Sequence, residues 1–382
     1  MNSKSMEQLT LQAIEDRRYF HQNPELSWQE FNTAQYIKER LQKLNIKILD
    51  YPLPHVIGYI KGSKSDKTIA LRADMDALPI DEEGDKPYKS KNPGVSHACG
   101  HDGHMAVLLA VAEWLSRHSH EISPNILLIF QSCEEYDPSG AKNLVDKGTL
   151  DGVDAIYGIH LWQPLEKGKI GIAHGPMMAA AHDFTITIEG SGGHGSMPHE
   201  TVDPIYISSH IIQAVQSIVS RNTNPVDSKV ISIGSIEAGK GYNIIPNTVT
   251  MKGTVWGFSI ETLDYIERRL HEIVDGICRS FNAKGILDYR KGTPPLINHV
   301  KQSKLVEDVV RNKFGDTTFE EITPIMGAED FSHYLQHGPG AFIFVGIGGE
   351  KSKYPHHHPR FDIDEDVLQD AIKLMIEIVK KY

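Results

Sequence analysis

Apolar residues recur along this chain in two different patterns, and each pattern predicts one kind of element. Helical spacing, in which apolar residues lie three and four positions apart, is found over residues 6–22, 28–44, 102–116 and 365–380. Short continuous apolar runs, typical of strands buried on both faces, are found over residues 67–72, 125–131, 154–160 and 341–347. Because helices alternate with such strands, the chain is predicted to form an α/β domain with a sheet covered on both sides.

The break between the first two helices carries its own signals. Pro24 cannot continue a helix, so it is expected to end the first one. Ser27 stands just before the second helix, and its hydroxyl can accept hydrogen bonds from unpaired backbone N–H groups there. Ser27 is therefore predicted to cap the second helix.

The segment between residues 182 and 287 follows a third pattern. Apolar and polar residues alternate, as in strands exposed on one face, over residues 184–189, 229–237, 248–256 and 285–289. Helices are predicted at residues 202–219 and 261–281. The resulting order, β-α-β-β-α-β, is that of the ferredoxin-like fold. Since buried strands precede and follow the segment, we predict a domain inserted at residues 182–292 into a domain formed by residues 1–181 and 293–382.

Composition and charge narrow the class of protein. The 382 residues exceed what one hydrophobic core usually holds, which agrees with two domains. The net charge of −11 argues against a nucleic-acid-binding protein, and no apolar run approaches the ~18 residues of a membrane span. Three cysteines, an odd number, indicate free thiols in a reducing compartment, and the polar N-terminus lacks the apolar core of a signal peptide. A cytoplasmic protein without nucleic-acid or membrane partners is expected.

Polar residues that bind metals or protons follow three of the predicted buried strands. They are Asp74 and Asp76 after residues 67–72, Glu134 and Glu135 after residues 125–131, and His160 after residues 154–159. In open α/β sheets, ligands bind at the carboxyl ends of the strands. These side chains are therefore expected to meet at one edge of the sheet and to form a site there.

The stretch Cys99–His104 is open to three interpretations. Cys99 and His101 can bind a metal ion through thiolate and imidazole. Alternatively, Cys99 is a nucleophile with His101 as its base. The third interpretation is a buried thiol beside Asp102, which would cap the following helix. His104 falls inside that helix and is expected to support the site rather than to bind an ion.

Two further segments carry candidate residues. The run His356–His358 lies between Pro355 and Pro359, which stiffen it and favour a positioned ligand, but the residues alone do not choose among the three histidines. The glycine-rich stretch Gly190–Ser196 carries His194, either as a polarising group on a lid or as a solvated residue of a hairpin turn. Asn243 lies in a turn and offers an amide donor.

Together these motifs resemble the N-acyl-amino acid amidohydrolase family, which includes hippurate hydrolase, aminoacylases and plant auxin-conjugate hydrolases. The resemblance spans nearly the whole chain and rests on residues 21–27, 71–79, 97–104, 158–160, 192–195, 243–247 and 326–331. It implies a mixed-sheet, zinc-peptidase-like α/β catalytic domain with an inserted ferredoxin-like lid that also forms a homodimer. It further implies two divalent metal ions, and the mixed Cys, His and Glu donors suit zinc, manganese, cobalt or nickel.

The resemblance also implies the metal ligands. Cys99 would be shared by both ions, with His101 and His160 completing one site and Glu135 and His357 the other. The remaining roles fall on Glu134 as general base, on Asp76 as the acid that orients a ligand, and on His194 and Asn243 as residues of the lid that contact the substrate.

The function predicted from these residues is hydrolysis of the amide bond of small N-acyl amino acids. A dipeptidase or carboxypeptidase of the same architecture is the main alternative, because the lid decides the substrate. A metal-independent hydrolase with Cys99 as nucleophile is a second alternative. A binding protein without catalysis is disfavoured, because Glu134 supplies the base that such a protein would lack.

Overall fold

The computed structural model describes residues 3–64 and 67–382 and divides into two compact units. The first unit comprises Met1–Met177, Ile297–Thr323 and Asp330–Tyr382, and the second comprises Met178–Leu296 and Pro324–Glu329. Met1 and Asn2, which open the polar N-terminal segment considered above, lie outside the described residues. Among the residues that are described, no helix has the length and apolar character needed to cross a lipid bilayer.

The helices and strands largely follow the predicted pattern. The helices are α1 (Ser3–Gln22), α2 (Phe31–Lys43), α3 (His101–Arg117), α4 (Gly140–Asp146), α5 (Pro204–Ser217), α6 (Ile260–Ser280), α7 (Val300–Phe314), α8 (Ser332–His337) and α9 (Val367–Lys380). The strands are β1 (Lys47–Ile48), β2 (Val56–Ile60), β3 (Thr68–Asp74), β4 (Asn125–Gln131), β5 (Ala155–Glu166), β6 (Ile170–Ile172), β7 (Pro176–Met178), β8 (Ala180–Glu189), β9 (Gly193–His194), β10 (Lys229–Ala238), β11 (Ile244–Ile245), β12 (Thr248–Gly257), β13 (Lys284–Lys291), β14 (Leu296–Ile297), β15 (Phe319–Glu321) and β16 (Gly340–Gly348).

The first unit is built on one large mixed sheet. Its strand order within the described residues is β1-β2-β4-β3-β5-β16-β6-β15. The central strands β4, β3, β5 and β16 run parallel to one another, whereas β2 and β6 pair antiparallel with their neighbours β4 and β16. The predicted α/β class is thus confirmed, and the parallel centre brings the carboxyl ends of β3 and β4 to the same edge.

The central strands consist largely of apolar residues, which are buried on both faces of the sheet. Every residue of β4 after Asn125 is buried, as is every residue of β16 before Gly348. Helices α1, α3 and α9 contribute to the main hydrophobic cluster together with alternate residues of β4, among them Ile126 and Leu128. The continuous apolar runs seen in the sequence are therefore strands buried on both sides.

The second unit has the ferredoxin-like order of elements. Its sheet order is β10-β12-β8-β13, with every neighbouring pair antiparallel, and α5 and α6 pack against it. The alternating pattern places Phe184, Ile186 and Ile188 of β8 in the core, where Ile186 pairs with Met251 of β12. The predicted insertion, residues 182–292, falls within the range of this unit.

One predicted strand is longer than its apolar run. β5 continues to Glu166, rather than ending at His160, because it pairs with β16 as far as Gly348. β3 pairs with β5 only up to Arg72 and Gly158, so His160 lies just beyond the end of that ladder. The histidine is consequently held by a strand on one side while its ring reaches the edge where β3 ends.

Candidate metal centre

The structure brings the five predicted metal ligands together in two groups that share Cys99. One group is Cys99, His101 and His160, and the other is Cys99, Glu135 and His357; within each, one donor atom per residue lies within 4.8 Å of the others. The Cys99 Sγ atom lies 3.5 Å from Nε2 of His160. This division matches the one implied by the resemblance, and the role of each residue as a ligand stays a prediction.

Two histidines bond backbone carbonyls through Nδ1, which turns their Nε2 atoms towards the cluster. His101 donates from Nδ1 to the backbone carbonyl of Asp76 at 2.9 Å, and His160 donates from Nδ1 to the carbonyl of Leu161 at 3.1 Å. Burial lowers the pKa of His160 well below its usual range, so that ring is neutral. Its Nε2 lone pair is therefore available to a metal ion, as it is in most histidine sites.

Two buried polar atoms in the cluster make no hydrogen bond of ordinary geometry among the described residues, although one of them lies 3.2 Å from Nε2 of His357. They are Nε2 of His101 and Oε1 of Glu135, which lie 3.9 Å apart. Buried polar groups normally have a partner, because an unpaired one is costly. A cation between these atoms would satisfy both, so the residues present fit a bound metal ion.

The electrostatics of the cluster also favour a cation. Burial opposes the charged form of His101, but the carboxylates of Asp74 and Asp76 outweigh it and raise the pKa of that imidazole to about 10. Burial, together with the charges of Glu135 and Glu134, raises the pKa of the Cys99 thiol well above its usual range. Without a bound cation these charges disfavour the thiolate that a cysteine nucleophile needs, which disfavours the metal-independent thiol hydrolase, whereas a bound cation would favour the thiolate.

Asp76 connects the residues on either side of the cluster. Its Oδ2 atom accepts the backbone N–H groups of Glu134 and Glu135 at 3.0 Å each, and the hydroxyl of Ser27 at 2.6 Å. Its backbone carbonyl accepts from His101. Asp76 thus helps to position two predicted ligands, His101 and Glu135, and the predicted base, Glu134.

Glu134 is half-buried beside these ligands. Its Oε1 atom accepts the backbone N–H of Asp330 at 3.4 Å, and it shares a second group of close donor atoms with His101 and Glu135. The carboxylate is therefore near the cluster but is also tied to a neighbouring loop. This position suits a group that handles protons next to a bound ion.

His104 is tied at both ring nitrogens. Its Nδ1 donates to Oδ1 of Asp74 at 2.7 Å, and its Nε2 accepts the backbone N–H of Leu161 at 2.9 Å. By distance alone, Asp74, His101 and His104 also form a possible cation site. Because neither nitrogen of His104 has a free lone pair, we assign it to fixing β5 beside His160.

Of the three consecutive histidines, His357 lies at the cluster. Its Nε2 is 3.2 Å from Oε1 of Glu135, and its backbone N–H donates to Ala98 at 2.8 Å. It adopts a φ of 64°, which non-glycine residues seldom do. Contacts on both sides hold this backbone conformation, and it turns the ring towards Glu135 and Cys99.

The other two histidines have different partners. His356 accepts the backbone N–H of Gln163 at Nε2 and stacks on Trp162. Burial lowers its pKa to about 3. His358 accepts the backbone N–H of Arg360 at Nδ1. Both rings therefore serve to hold the loop.

His194 and Asn243 lie side by side in the second unit. β9 and β11 pair antiparallel with His194 opposite Ile244, and the N–H of Gly195 donates to the carbonyl of Asn243 at 2.8 Å. The His194 ring is exposed, with Nδ1 bonded to the Ser196 hydroxyl at 2.8 Å. Its Nε2 edge is therefore presented to solvent, and contact with a substrate stays a prediction for both residues.

Two residues that were considered as helix caps bond distant side chains instead. The residue before α3 is Gly100 in a left-handed conformation, whereas Asp102 accepts from Nε of Arg17 at 2.8 Å and from Nδ1 of His21 at 2.7 Å. The cap interpretation of Asp102 is therefore wrong. That of Ser27 is wrong as well, because α2 begins after Glu30 and the Ser27 hydroxyl donates to Asp76 instead.

Arg72 is a buried residue of the site that the sequence reasoning did not single out. Its guanidinium donates to Asp74 at 2.7 Å, to Asp330 at 2.7 Å and to Gln131 at 2.8 Å. It thereby ties the ends of β3 and β4 to the loop that bonds Glu134. The available signal was an arginine inside an apolar strand, since a buried arginine needs acidic partners.

Comparison with known proteins gives matches over most of the chain. The model of peptidase family M20/M25/M40 matches residues 70–381. An N-acetyl-L-cysteine deacetylase of Bacillus subtilis is 39% identical over 381 residues, which cover 100% of this chain and 90% of the relative. Thermostable carboxypeptidase 2 of Saccharolobus solfataricus is 41% identical over 361 residues, covering 93% of this chain and 91% of the relative. The crystal structure of Bacillus subtilis YXEP protein, a dinuclear metal binding peptidase from the M20 family, matches with a TM-score of 0.85, 32% identity and 98% of each chain covered.

Proposed function

Because the chain belongs to peptidase family M20/M25/M40, we propose that it is a metal-dependent hydrolase that cleaves the amide bond of small N-acyl amino acids. The resemblance to the N-acyl-amino acid amidohydrolases is confirmed by this membership and by the deacetylase relative. The observation that carries the proposal is the pair of donor groups around Cys99 with Glu134 next to them.

The donors suit two divalent ions. Cys99, His101 and His160 would hold one ion, and Cys99, Glu135 and His357 the other. A mixture of thiolate, imidazole and carboxylate favours zinc, manganese, cobalt or nickel over magnesium or calcium. When bound, the ions supply a water molecule of lowered pKa and polarise the amide carbonyl.

Glu134 would carry the protons of the reaction. It accepts a proton from the attacking water and donates it to the nitrogen of the leaving amino acid, so that the amide is replaced by a carboxylic acid and a free amine. The hydrogen bond from its own N–H to Asp76 and the bond that Oε1 accepts from Asp330 restrict where its carboxylate can lie.

The second unit would supply contacts to the substrate and to a second copy of the chain. The exposed imidazole of His194 can donate to the negative oxygen of the tetrahedral intermediate, with Asn243 as its neighbour.

β10 is an edge strand on which Ile236 is 51% exposed. Exposed apolar residues on a free strand edge favour pairing with another chain, and we propose a homodimer. Three free, buried cysteines agree with a cytoplasmic location.

One screen tests the substrate and the metal together. The protein is treated with a chelator, reloaded with single metal ions, and assayed with N-acetyl, N-benzoyl and indole-acyl amino acids and with dipeptides. We expect hydrolysis of N-acyl amino acids that is lost on chelation and restored by metal. Preference for dipeptides or for C-terminal residues would support the second candidate, a carboxypeptidase, which the Saccharolobus relative favours. Activity that survives chelation and is lost on thiol alkylation would contradict both.

Glu134→Gln tests the general base. The amide keeps the size of the side chain but cannot accept a proton, so kcat should fall by about 10²- to 10⁴-fold. Metal content, measured by elemental analysis, should stay the same, because the five predicted ligands are unchanged. Glu121→Gln, at an exposed glutamate outside the cluster, is the matched control and should retain activity. Normal turnover in Glu134→Gln would refute the assignment.

A further inference from the structure

Glu30 is a buried carboxylate that contacts the segment leading into Glu134. It is the residue just before α2, and its side chain is fully buried. Its Oε1 accepts the backbone N–H of Cys133 at 2.8 Å, and its Oε2 accepts the hydroxyl of Ser132 at 2.7 Å. These bonds join positions about a hundred residues apart in the sequence, so they fix the backbone at Cys133 from outside the loop that carries Glu134.

The backbone held by Glu30 is in an uncommon conformation. Cys133 has a φ of 58°, a left-handed value that few residues other than glycine adopt. Such a conformation persists only when the surroundings determine it, and it is enriched at functional sites. Besides Glu30, the N–H of Gly140 binds the carbonyl of Cys133 at 2.7 Å. The turn at Cys133 sends the chain from β4 into the pair Glu134 and Glu135.

Neighbouring residues of Glu30 bind the same loop. Ser27 donates to Asp76, the acceptor of the N–H groups of Glu134 and Glu135. Trp28 donates from Nε1 to the carbonyl of Pro138 at 3.1 Å. The segment Ser27–Glu30 therefore bonds the loop directly before and after the two glutamates, and Ser27 also bonds Asp76, the acceptor of their N–H groups.

A buried carboxylate at this place is costly in stability. Burial, and then the charge of Asp76, raises the pKa of Glu30 to about 7. Its apolar or amide counterparts would avoid this cost. The carboxylate gives one acceptor oxygen to the Ser132 hydroxyl and the other to the Cys133 N–H, and these two bonds offset part of the cost.

We propose that Glu30 is a positioning residue for Glu134 and Glu135: its two acceptor bonds hold the turn at Cys133, which sets where the base and the adjacent ligand stand. The proposal rests on the proposed function for its kinetic part. It acts through the backbone, so a loss of Glu30 should change turnover and metal affinity more than substrate binding.

The test compares two variants of Glu30. Glu30→Ala removes both acceptors, and we expect kcat and zinc affinity each to fall about 10- to 100-fold while KM changes little. Glu30→Gln keeps one acceptor oxygen for Cys133 and can donate to Ser132, so it should recover most of both quantities. The kcat is measured per metal-loaded folded enzyme, and zinc affinity by competition with a chromophoric chelator.

Glu25→Ala is the matched control for stability. Glu25 lies in the same loop and accepts the backbone N–H groups of Asn32 at 3.2 Å and Thr33 at 2.8 Å and the side-chain amide of Asn32 at 2.6 Å, so its loss also removes hydrogen bonds at the start of α2. Its side chain does not bond the segment around Cys133. We expect Glu25→Ala to lower the melting temperature without changing zinc affinity or kcat of the folded enzyme.

The outcomes separate the proposal from the assigned reaction. If Glu30→Ala matches the wild type in kcat and zinc affinity, or if Glu25→Ala loses as much of both, Glu30 is only a structural residue and the proposal is wrong. If the wild-type protein hydrolyses no N-acyl amino acid, the proposed substrate fails, but the zinc comparison between Glu30→Ala, Glu30→Gln and Glu25→Ala still decides the role of Glu30.

Discussion

At the scale of single residues, Asp76 bonds several residues of the predicted metal centre without belonging to the predicted ligand set. One of its oxygens accepts three hydrogen bonds, two from the backbone of Glu134 and Glu135 and one from Ser27. The other oxygen lies 3.3 Å from Nδ1 of His101. Outer residues of this kind orient metal ligands and raise their basicity.

Asp76→Asn should therefore weaken metal binding while the protein still folds. An amide offers one acceptor oxygen where the carboxylate has two and carries no charge to balance His101. We expect zinc affinity and kcat to fall about 10- to 100-fold. Asp85→Asn, at an exposed aspartate of the same segment of chain, should leave both unchanged. Equal zinc affinity in Asp76→Asn and the wild type would show that Asp76 does not orient the ligands.

Local sequence signals were least reliable for polar residues with distant partners. Asp102 and Ser27 both stand near helix starts, where a cap is the usual interpretation. In the structure Asp102 binds Arg17, 85 residues away, and Ser27 binds Asp76, 49 residues away. A hydrogen bond to a buried charged partner stabilises the fold more than a helix cap does. Nothing in the local pattern reveals that partner, because it is distant in the sequence.

At the scale of elements, the strands and helices with strong apolar patterns could be predicted, and the others could not. β4 was predicted with its observed bounds, because its apolar run is continuous. α7 has no such pattern, since its buried face includes the polar residues Gln302 and Ser303. β2 contains Gly58, which lies against Leu41 and weakens the strand signal. β5 is longer than its apolar run because its pairing with β16 continues beyond that run.

The start of α4 should be intolerant of any side chain at its first residue. A Cβ at Gly140 would lie 1.7 Å from the carbonyl oxygen of Ser132, a backbone atom that cannot move aside. Gly140→Ala should lower the free energy of unfolding by about 3 kcal/mol or more. The measurement is chemical denaturation followed by circular dichroism.

Gly276→Ala is the control for that element-scale prediction. Gly276 lies inside α6, and a Cβ there would meet no atom within 4 Å. Alanine has the higher helix propensity, so this variant should be more stable by ~0.5–1 kcal/mol. A Gly140→Ala protein as stable as the wild type would mean that the contact between α4 and the turn after β4 is looser than the structure indicates.

At the scale of the whole molecule, the domain that we propose to be inserted at residues 182–292 rests on a change of pattern near residue 182. Continuous apolar runs give way to alternating ones there, and the second unit has the corresponding one-sided sheet. The segment Pro324–Glu329 lies within residues 293–382, which the sequence assigned to the other domain, yet it groups with the second unit although it forms no strand or helix of its own. It joins this unit through backbone contacts, as when the N–H of Ala179 donates to the carbonyl of Ile325 at 3.1 Å.

In the proposed homodimer, His194 can serve its own subunit or the partner subunit, and mixing two inactive variants tests which of the two it serves. Glu134→Gln keeps His194 but lacks the base, whereas His194→Ala keeps the base but lacks the imidazole. In a hybrid dimer, a site with the base of one subunit and the imidazole of the other is complete only if His194 reaches across. We expect activity to appear when the two dimeric variants are dissociated, mixed and reassembled, and each variant alone to stay inactive after the same treatment. A mixture that forms hybrid dimers by native mass spectrometry but gains no activity would place His194 in the site of its own subunit.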